Sequence, residues 1–504
     1  MHKRFSVTIL LLLAIGLAVR LLLLGSKSLW ADEAYAAALT GLPLLDGAAL
    51  FSRGTPHPIG GFFFIWASAA LFGQSAAGLR LLTALLTSSA VIPVYGFVRR
   101  RIPRGAAWAA LLWAISPWSV SLGQEAWVYG SFATLSLWSV YLGDSAWRGS
   151  SLALAFFIPV SICGFLVQHV FIIPAAAAVA LYFTLPRAER VGIARPVVSS
   201  VILLTAFVPM AVSFLGQFEA RLRRMEASGH GGMDFHRLLI RPPAIFLRMW
   251  TGGMLPETLR ELSASAVHIA TAAAAAILQT AALAAVLLRK GPGRSFRIWI
   301  AAVLVLPFIL FLSDDPTPRH FPLVWLALAA GMASLASWKR WLGAVSVGFC
   351  LVTLIRYYQV ESWPYHMSDW EGAVRIVEER ALEGDAVILQ GAKTGMQAWN
   401  FYEVKDMERY SPHCMNPYLG ADEAAEREDP ALLLDRLIVE GRRVWLVDDY
   451  WQGPPLESLA GARPVLFDTT MGTIRIMLLD DADGRSVNVS DPPGGGPDNH
   501  PSGR

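Results

Sequence analysis

Charge is scarce in this chain. Only 16% of its 504 residues are Asp, Glu, Lys or Arg, where a soluble protein carries about a quarter. With 54% hydrophobic residues, that shortage excludes a purely soluble enzyme and a disordered chain. Cysteine is scarcer still, at three in the whole chain, which excludes a disulfide-rich secreted scaffold. Cys163 and Cys350 lie in apolar runs and Cys414 stands alone, so no zinc-ligand spacing is present. The charge imbalance is only +3, too small for a nucleic-acid partner. No internal repeat is visible.

What is abundant is apolar sequence, and it is unevenly spread. Mean hydropathy is +0.45, but residues 5–357 hold long apolar runs while 358–504 read as an ordinary soluble segment. A spanning helix needs about 20 mostly apolar residues. Such runs occur at 5–25, 77–98, 104–122, 126–146, 151–167, 169–186, 196–216, 264–288, 297–313, 320–337 and 341–357, predicting about eleven spans. A further run from Pro58 to Gly73 reaches only about 24 Å, short of the hydrocarbon core. The first run resembles a signal peptide, but Arg20 interrupts it and no small-residue cleavage site follows, so it is read as a retained span.

Cytoplasmic loops are enriched in Lys and Arg. If 58–73 does not cross, the inner segments collect His2, Lys3 and Arg4, then Arg99, Arg100, Arg101 and Arg104, then Arg148, Arg187, Arg190, Arg195, Arg289, Lys290, Arg294, Arg297, Lys339 and Arg340. If it crosses, every loop after the first changes side. The run is therefore read as a helix in the outer interface. The loop 217–263, rich in Arg, dissents and is kept outside on the weight of the others.

This topology puts the N-terminus in the cytoplasm and residues 358–480 outside, as a small α/β domain. Ser368 and Glu371 have capping-box spacing ahead of a helix, Gly384 is expected to end it, and residues 385–390, 443–447 and 474–479 read as strands. Residues 481–504, rich in Pro, Gly, Ser and Asp, read as a disordered tail.

The same topology gathers polar residues on the outer side. Asp32, Glu33 and His57 lie in the first outer loop, Gln124, Glu125 and Tyr129 in a short later connection, and His169 at the next outer turn. Arg80 opens the second span, Arg20 nears the end of the first, and Arg319 follows Asp314 and Asp315. Each admits a plainer reading. Loop carboxylates are ordinarily solvated, span-end arginines snorkel, and tryptophan and tyrosine anchor at interfaces. Gln124 and Glu125 are harder to dismiss, because charge between closely spaced apolar spans is costly.

Transfer of a sugar from a lipid phosphate would use such a set. A carboxylate takes the acceptor proton, and cations stabilise the leaving phosphate. Arginine can hold a monophosphate by bidentate hydrogen bonds without a metal. A nucleotide-sugar enzyme would instead carry a metal-binding acidic motif in an α/β fold. Asp481 and Asp483 have that spacing but open the tail.

The series Arg20, Leu29, Trp30, Asp32, Glu33, Tyr35, then His57, Pro58, Leu79, Arg80, then Ser116, Pro117, Gln124, Glu125, Trp127, Tyr129 resembles the N-terminal half of the polyprenyl-phosphate-sugar-dependent membrane glycosyltransferases. This GT-C superfamily includes glycosyltransferase family 39, the protein O-mannosyltransferases and the lipid A aminoarabinose transferase. Pro318, Arg319 and His320 resemble its later Arg-Tyr motif, with His320 in place of Tyr. Asp369, Trp370 and Glu371, followed by Gly384 and Asp385, resemble the soluble domain of bacterial members.

The resemblance implies a GT-C membrane domain over 1–357 and inverting transfer from an undecaprenyl- or dolichyl-phosphate sugar at the outer face. It implies Asp32 as base with Glu33 beside it, Glu125 as the assisting acid, and Arg319 and Arg80 on the donor phosphate. His57, Tyr129, Gln124, His169 and Arg20 complete the substrate-binding set. Two departures stand: Ile59 follows His57 and Pro58 where the family has a second proline, and Trp127 takes the place of an arginine. No cofactor is expected; a divalent ion at Asp314 and Asp315 is the less favoured alternative. The expected partners are the lipid-linked sugar donor, membrane lipids and a lipid, glycan or protein acceptor. The rival reading is a transporter or lipid flippase, which would set its polar groups near the bilayer midplane.

Overall fold

The computed structural model describes residues 2–55, 57–227, 246–249, 251, 266–288, 293–310, 318–359, 369–390, 395–405, 407–410, 429–449, 456–461, 463–471 and 474–479. Asp314, Asp315, Ser368, the tail from 480 and most of the loop 217–263 lie outside them.

Each of the eleven apolar runs forms helix. The first is α1 (His2–Leu21), and three short helices follow: α2 (Ala31–Leu39), α3 (Leu44–Gly54) and α4 (Gly60–Phe72). The second run is α5 (Ala76–Ser89) with α6 (Val91–Arg99). They join at Ala90, directly after Ser89, whose carbonyl is freed by the missing N–H of Pro93 four residues on. The third is α7 (Ala106–Ile115) and α8 (Pro117–Gly123), bent by 55° where Pro117 interrupts the ladder.

Then come α9 (Val128–Trp147), α10 (Ser151–Val167), α11 (Ile172–Ala180) with its flanking 3-10 turns, and α12 (Ala194–Ala227). The last four helices of the body are α13 (Ala266–Leu288), α14 (Arg294–Leu310), α15 (Pro322–Trp338) and α16 (Arg340–Gln359). Where α13 meets α15, Gly331 lies so close to the Ala282 carbonyl that a Cβ would fall 2.6 Å from its oxygen. Small residues permit such approach between helices in lipid, where no hydrophobic driving force pulls them together.

Among the described residues, Ala76–Arg99, Ala194–Val212, Ala266–Leu288 and Arg340–Gln359 are long and apolar enough to cross a bilayer, and the bent α7–α8 pair makes a fifth. The other runs are shorter or more polar. The outward faces are apolar: Val201, Leu204, Val208 and Val212 on α12, and Val352 and Ile355 on α16, are all exposed. Water would penalise that surface, while hydrocarbon does not.

The C-terminal region forms a five-stranded sheet of order β2-β1-β3-β5-β4: β1 (Ala386–Gln390), β2 (Glu408–Tyr410), β3 (Val444–Asp449), β4 (Val465–Met471) and β5 (Ile474–Leu479). β1 pairs parallel with β2 and β3, while β5 runs antiparallel to β3 and β4. The alternation of side chains puts Val387, Leu389, Trp445, Val447 and Ile476 on one face, continuous with the core of the helical body. Ala386, Ile388, Val444, Leu446 and Met477 turn to a separate core against α19 (Pro430–Val439) and α20 (Leu456–Ala460).

Two details differ from the sequence expectation. α17 (Trp370–Arg380) is capped by Asp369, whose carboxylate accepts from Gly372 N. It ends four residues before Gly384, which instead supplies a left-handed turn (φ 91°) into β1. β2 and β4 went unread, being short or flanked by polar residues.

Candidate active site

α2 begins beside the turn that follows α1, and its first turn presents Asp32 and Glu33 in opposite settings. Glu33 is fully buried and saturated. Arg80 Nη2 donates to its Oε2 at 2.7 Å and Arg80 Nε to its Oε1 at 3.0 Å. Trp30 N and Ala126 N donate to the same carboxylate at 3.2 and 2.6 Å. Arg80 also donates to the carbonyls of Leu24, Lys27 and Ser28. A guanidinium has five N–H donors, and every nitrogen of this one is engaged with protein.

Arg20 is equally committed. It is fully buried, so it does not snorkel. Its Nη1 donates to the carbonyls of Gly16 and Ala114, its Nη2 to the carbonyls of Trp113 and Ser119 and to Ser119 Oγ, and its Nε to Thr87 Oγ1. Pro117 has no N–H for the Trp113 carbonyl, so Arg20 serves acceptors that the α7–α8 bend orphans. A Cβ on Gly123 would fall 2.8 Å from Arg20 Nε, so glycine at the end of α8 leaves this guanidinium its space. Gln124 caps the other helix end: its Nε2 donates to the Arg20 and Leu22 carbonyls at 3.0 and 2.8 Å, and its Oε1 accepts from Tyr357 Oη at 2.9 Å.

Glu125 is the contrast. It is buried, yet its Oε2 accepts no hydrogen bond among the described residues. Its nearest cation is Arg319 Nη1 at 3.5 Å. Burial pushes its carboxyl up to about 7, against the pull of Arg319. Asp32 is half-buried and lies within electrostatic reach of Glu125.

Arg319, in the 3-10 turn before α15, lies over two aromatic faces, 5.4 Å from the Trp30 ring and 5.2 Å from the Tyr129 ring. The Tyr129 ring also meets His57 at 5.6 Å and His320 at 5.2 Å. His57 Nδ1 is 3.3 Å from Gln168 Nε2. Burial holds the His57 imidazole down to about 3, with His320, His169 and Arg319 near enough to lower it further. One carboxylate pair thus faces one guanidinium and three histidines at a single end of the helical body.

The sequence reading therefore brings together all ten of its residues in two groups. Arg20, Arg80, Glu33 and Gln124 are hydrogen-bonded into the protein itself. Asp32, Glu125, Arg319, His57, His169 and Tyr129 lie together beside them, with His57 held by Gln168 and the Glu125 Oε2 accepting no hydrogen bond among the described residues. It missed Lys27, Tyr357 and Tyr402. Lys27 is buried, with its Nζ 3.8 Å from the Tyr357 ring centroid, and burial brings its ammonium down to about 7. Tyr357 was legible as a polar group ending an apolar run. Lys27 sits among small loop residues that carry no signal.

Residues 56–213 match the family model described as dolichyl-phosphate-mannose-protein mannosyltransferase. The matched segment holds His57, Arg80, Gln124, Glu125, Tyr129 and His169, so it agrees with the resemblance read from those motifs. No curated protein matches the chain. Among solved structures, ArnT from Cupriavidus metallidurans in the apo state is similar at 13% identity and a TM-score of 0.47, over 95% of this chain and 98% of that one. The same protein bound to undecaprenyl phosphate is similar at 16% identity and 0.46, over 94% and 98%.

Proposed function

We propose that this chain is a GT-C membrane glycosyltransferase that moves a sugar from a polyprenyl-phosphate donor to a hydroxyl or amine acceptor, with inversion. The observation that carries the reading is the half-buried Asp32 beside the buried Glu125, whose Oε2 accepts no hydrogen bond among the described residues, with Arg319 3.5 Å from that carboxylate and His57, His169 and His320 close by. The match of residues 56–213 to a family named for a dolichyl-phosphate sugar supports the donor class.

In this reading Asp32 takes the acceptor proton as the nucleophile attacks the anomeric carbon. The bond from that carbon to the phosphate oxygen breaks, and the polyprenyl phosphate leaves with its electron pair and gains a negative charge. Arg319 meets that charge, and the histidines add donors around it. Glu125 holds Arg319 in place before the donor arrives. Glu33, Arg80, Arg20 and Gln124 keep the two outer loops in register. Residues 1–357 form the membrane domain of about eleven spans, 358–480 an external domain on the acceptor side, and 481–504 a tail. The site faces the outside of the inner membrane, with the N-terminus in the cytoplasm.

The test supplies membranes with radiolabelled polyprenyl-phosphate mannose, glucose or aminoarabinose. Release of free polyprenyl phosphate with sugar transfer is expected, and about a thousandfold loss in Asp32→Asn. Uptake of intact donor without bond cleavage would favour a flippase instead. A near wild-type rate in Asp32→Asn would place the base elsewhere.

A further inference from the structure

We propose that Tyr402, from the C-terminal domain, is a positioning residue that sets the start of the Asp32 helix. This rests on the reading of Asp32 as base. The turn between α1 and α2 is held almost wholly from within the helical body. Its carbonyls at Leu22, Leu24, Lys27 and Ser28 accept from Gln124 and Arg80, and Trp30 N donates to Glu33. Leu29 N is different. It donates to Tyr402 Oη at 2.5 Å, across 373 residues of chain, and Leu29 is fully buried. Three residues later comes Asp32.

Tyr402 ends α18 (Gly395–Tyr402), which packs along α2. It is itself held firmly. Glu378 Oε1 on α17 accepts from Val404 N and Lys405 N at 2.6 and 2.7 Å. Glu403 Oε1 accepts from Trp399 Nε1 at 3.1 Å and Met407 N at 3.2 Å. Burial raises the phenol to about 12, so it stays protonated. A chain of hydrogen bonds and packed elements therefore runs from α17 to the peptide that opens the base helix. Any ligand that shifts the C-terminal domain shifts Asp32 with it. An acceptor seated on that domain would complete the geometry of its own deprotonation.

The experiment uses the full chain in detergent or membranes and the variant Tyr402→Phe, which keeps the ring and removes the oxygen. Hydrogen exchange should quicken over residues 29–36, with exchange elsewhere and the melting temperature unchanged. Turnover of whichever polyprenyl-phosphate sugar the wild-type chain uses should fall about tenfold or more at unchanged donor KM, as expected for misplacement of a reacting group. Unchanged exchange at 29–36, or wild-type kcat, overturns the proposal. So does a general loss of melting temperature with exchange quickened throughout the chain, which would mark Tyr402 as merely structural. Asp32→Asn is measured alongside. Its full activity would sink the base reading, while exchange at 29–36 would still decide the Tyr402 contact.

Discussion

Two buried Arg–Glu pairs sit at the same end of this molecule and are built to different standards. Arg80 and Glu33 meet bidentately at 2.7 and 3.0 Å, with neither side chain exposed, and backbone amides and carbonyls fill their remaining valences. Arg319 and Glu125 approach only to 3.5 Å, with one carboxylate oxygen making no hydrogen bond among the described residues. Burying a charge is costly unless it is paired and hydrogen-bonded. The first pair meets that condition and so acts as a fastening. The second falls short of it at Glu125, whose Oε2 accepts no hydrogen bond among the described residues; in the proposed reaction the donor phosphate would approach the same guanidinium. A third cluster sharpens the contrast. Asp144, near the end of α9, takes Arg100 at 2.7 Å and Arg101 at 2.5 Å, with Arg148 at 3.5 Å. It ties the end of α6 to α9, on the face where the sequence places the cytoplasm.

The comparison can be broken most directly at the fastening. Glu33→Gln should leave Arg80 as an uncompensated buried cation, costing about 3–5 kcal/mol. The expected readout is a large fall in melting temperature and in folded yield from membranes. A variant as stable as wild type would mean that saturation does not mark a structural pair here.

At the second pair the outcome should invert. Arg319→Ala should fold normally yet lose roughly 10²–10³-fold in turnover, the scale of a lost transition-state donor. Unfolding of Arg319→Ala, measured by size-exclusion profile and melting, would merge the two pairs into one class.

A smaller effect is expected in the pH profile. Because the Glu125 carboxyl is raised to about 7, it holds its proton below that pH and is an anion above it. In the proposed reaction that anion competes with the donor phosphate for Arg319. Donor affinity should therefore weaken by about tenfold as pH rises from 6 to 8, since each pK unit corresponds to a tenfold change. Glu125→Gln should flatten that dependence; a profile identical to wild type would assign the titration to another group.

Tyr129→Leu should do least. It removes one cation–π face from Arg319, worth about 0.5–2 kcal/mol, so donor KM should rise several-fold at most. A loss as large as that of Arg319→Ala would make Tyr129 a reacting group.

Much of this arrangement was legible along the chain. Apolar run length located the long helices of the body, though not the short α2 and α3 of the first outer loop, because the need to satisfy backbone polar groups without water leaves a spanning segment little choice but helix. Scarcity of charge made Asp32, Glu125 and Arg319 conspicuous, since an ionic group between apolar runs is costly and needs a reason. The C-terminal strands were partly read from β-branched runs, while the short β2 and the polar-flanked β4 gave too little periodicity. Saturation was not legible at all. Nothing in the local sequence distinguishes Arg80, spent on Glu33 and three carbonyls, from Arg319, poised over two rings. Both are single arginines near helix starts.

Composition and patterning thus determined, by themselves, that the chain has a helical body suited to a bilayer, a C-terminal region with strands, and scarce polar groups set at the ends of apolar runs. Those follow from local physics: hydropathy, backbone hydrogen bonding and capping. Only the tertiary structure decided that Glu33 is saturated while the Glu125 Oε2 accepts no hydrogen bond among the described residues, and that a tyrosine 373 residues away in sequence holds the peptide opening α2. Hydrogen-bond saturation is a property of three-dimensional neighbours, and its partners here come from segments tens to hundreds of residues apart.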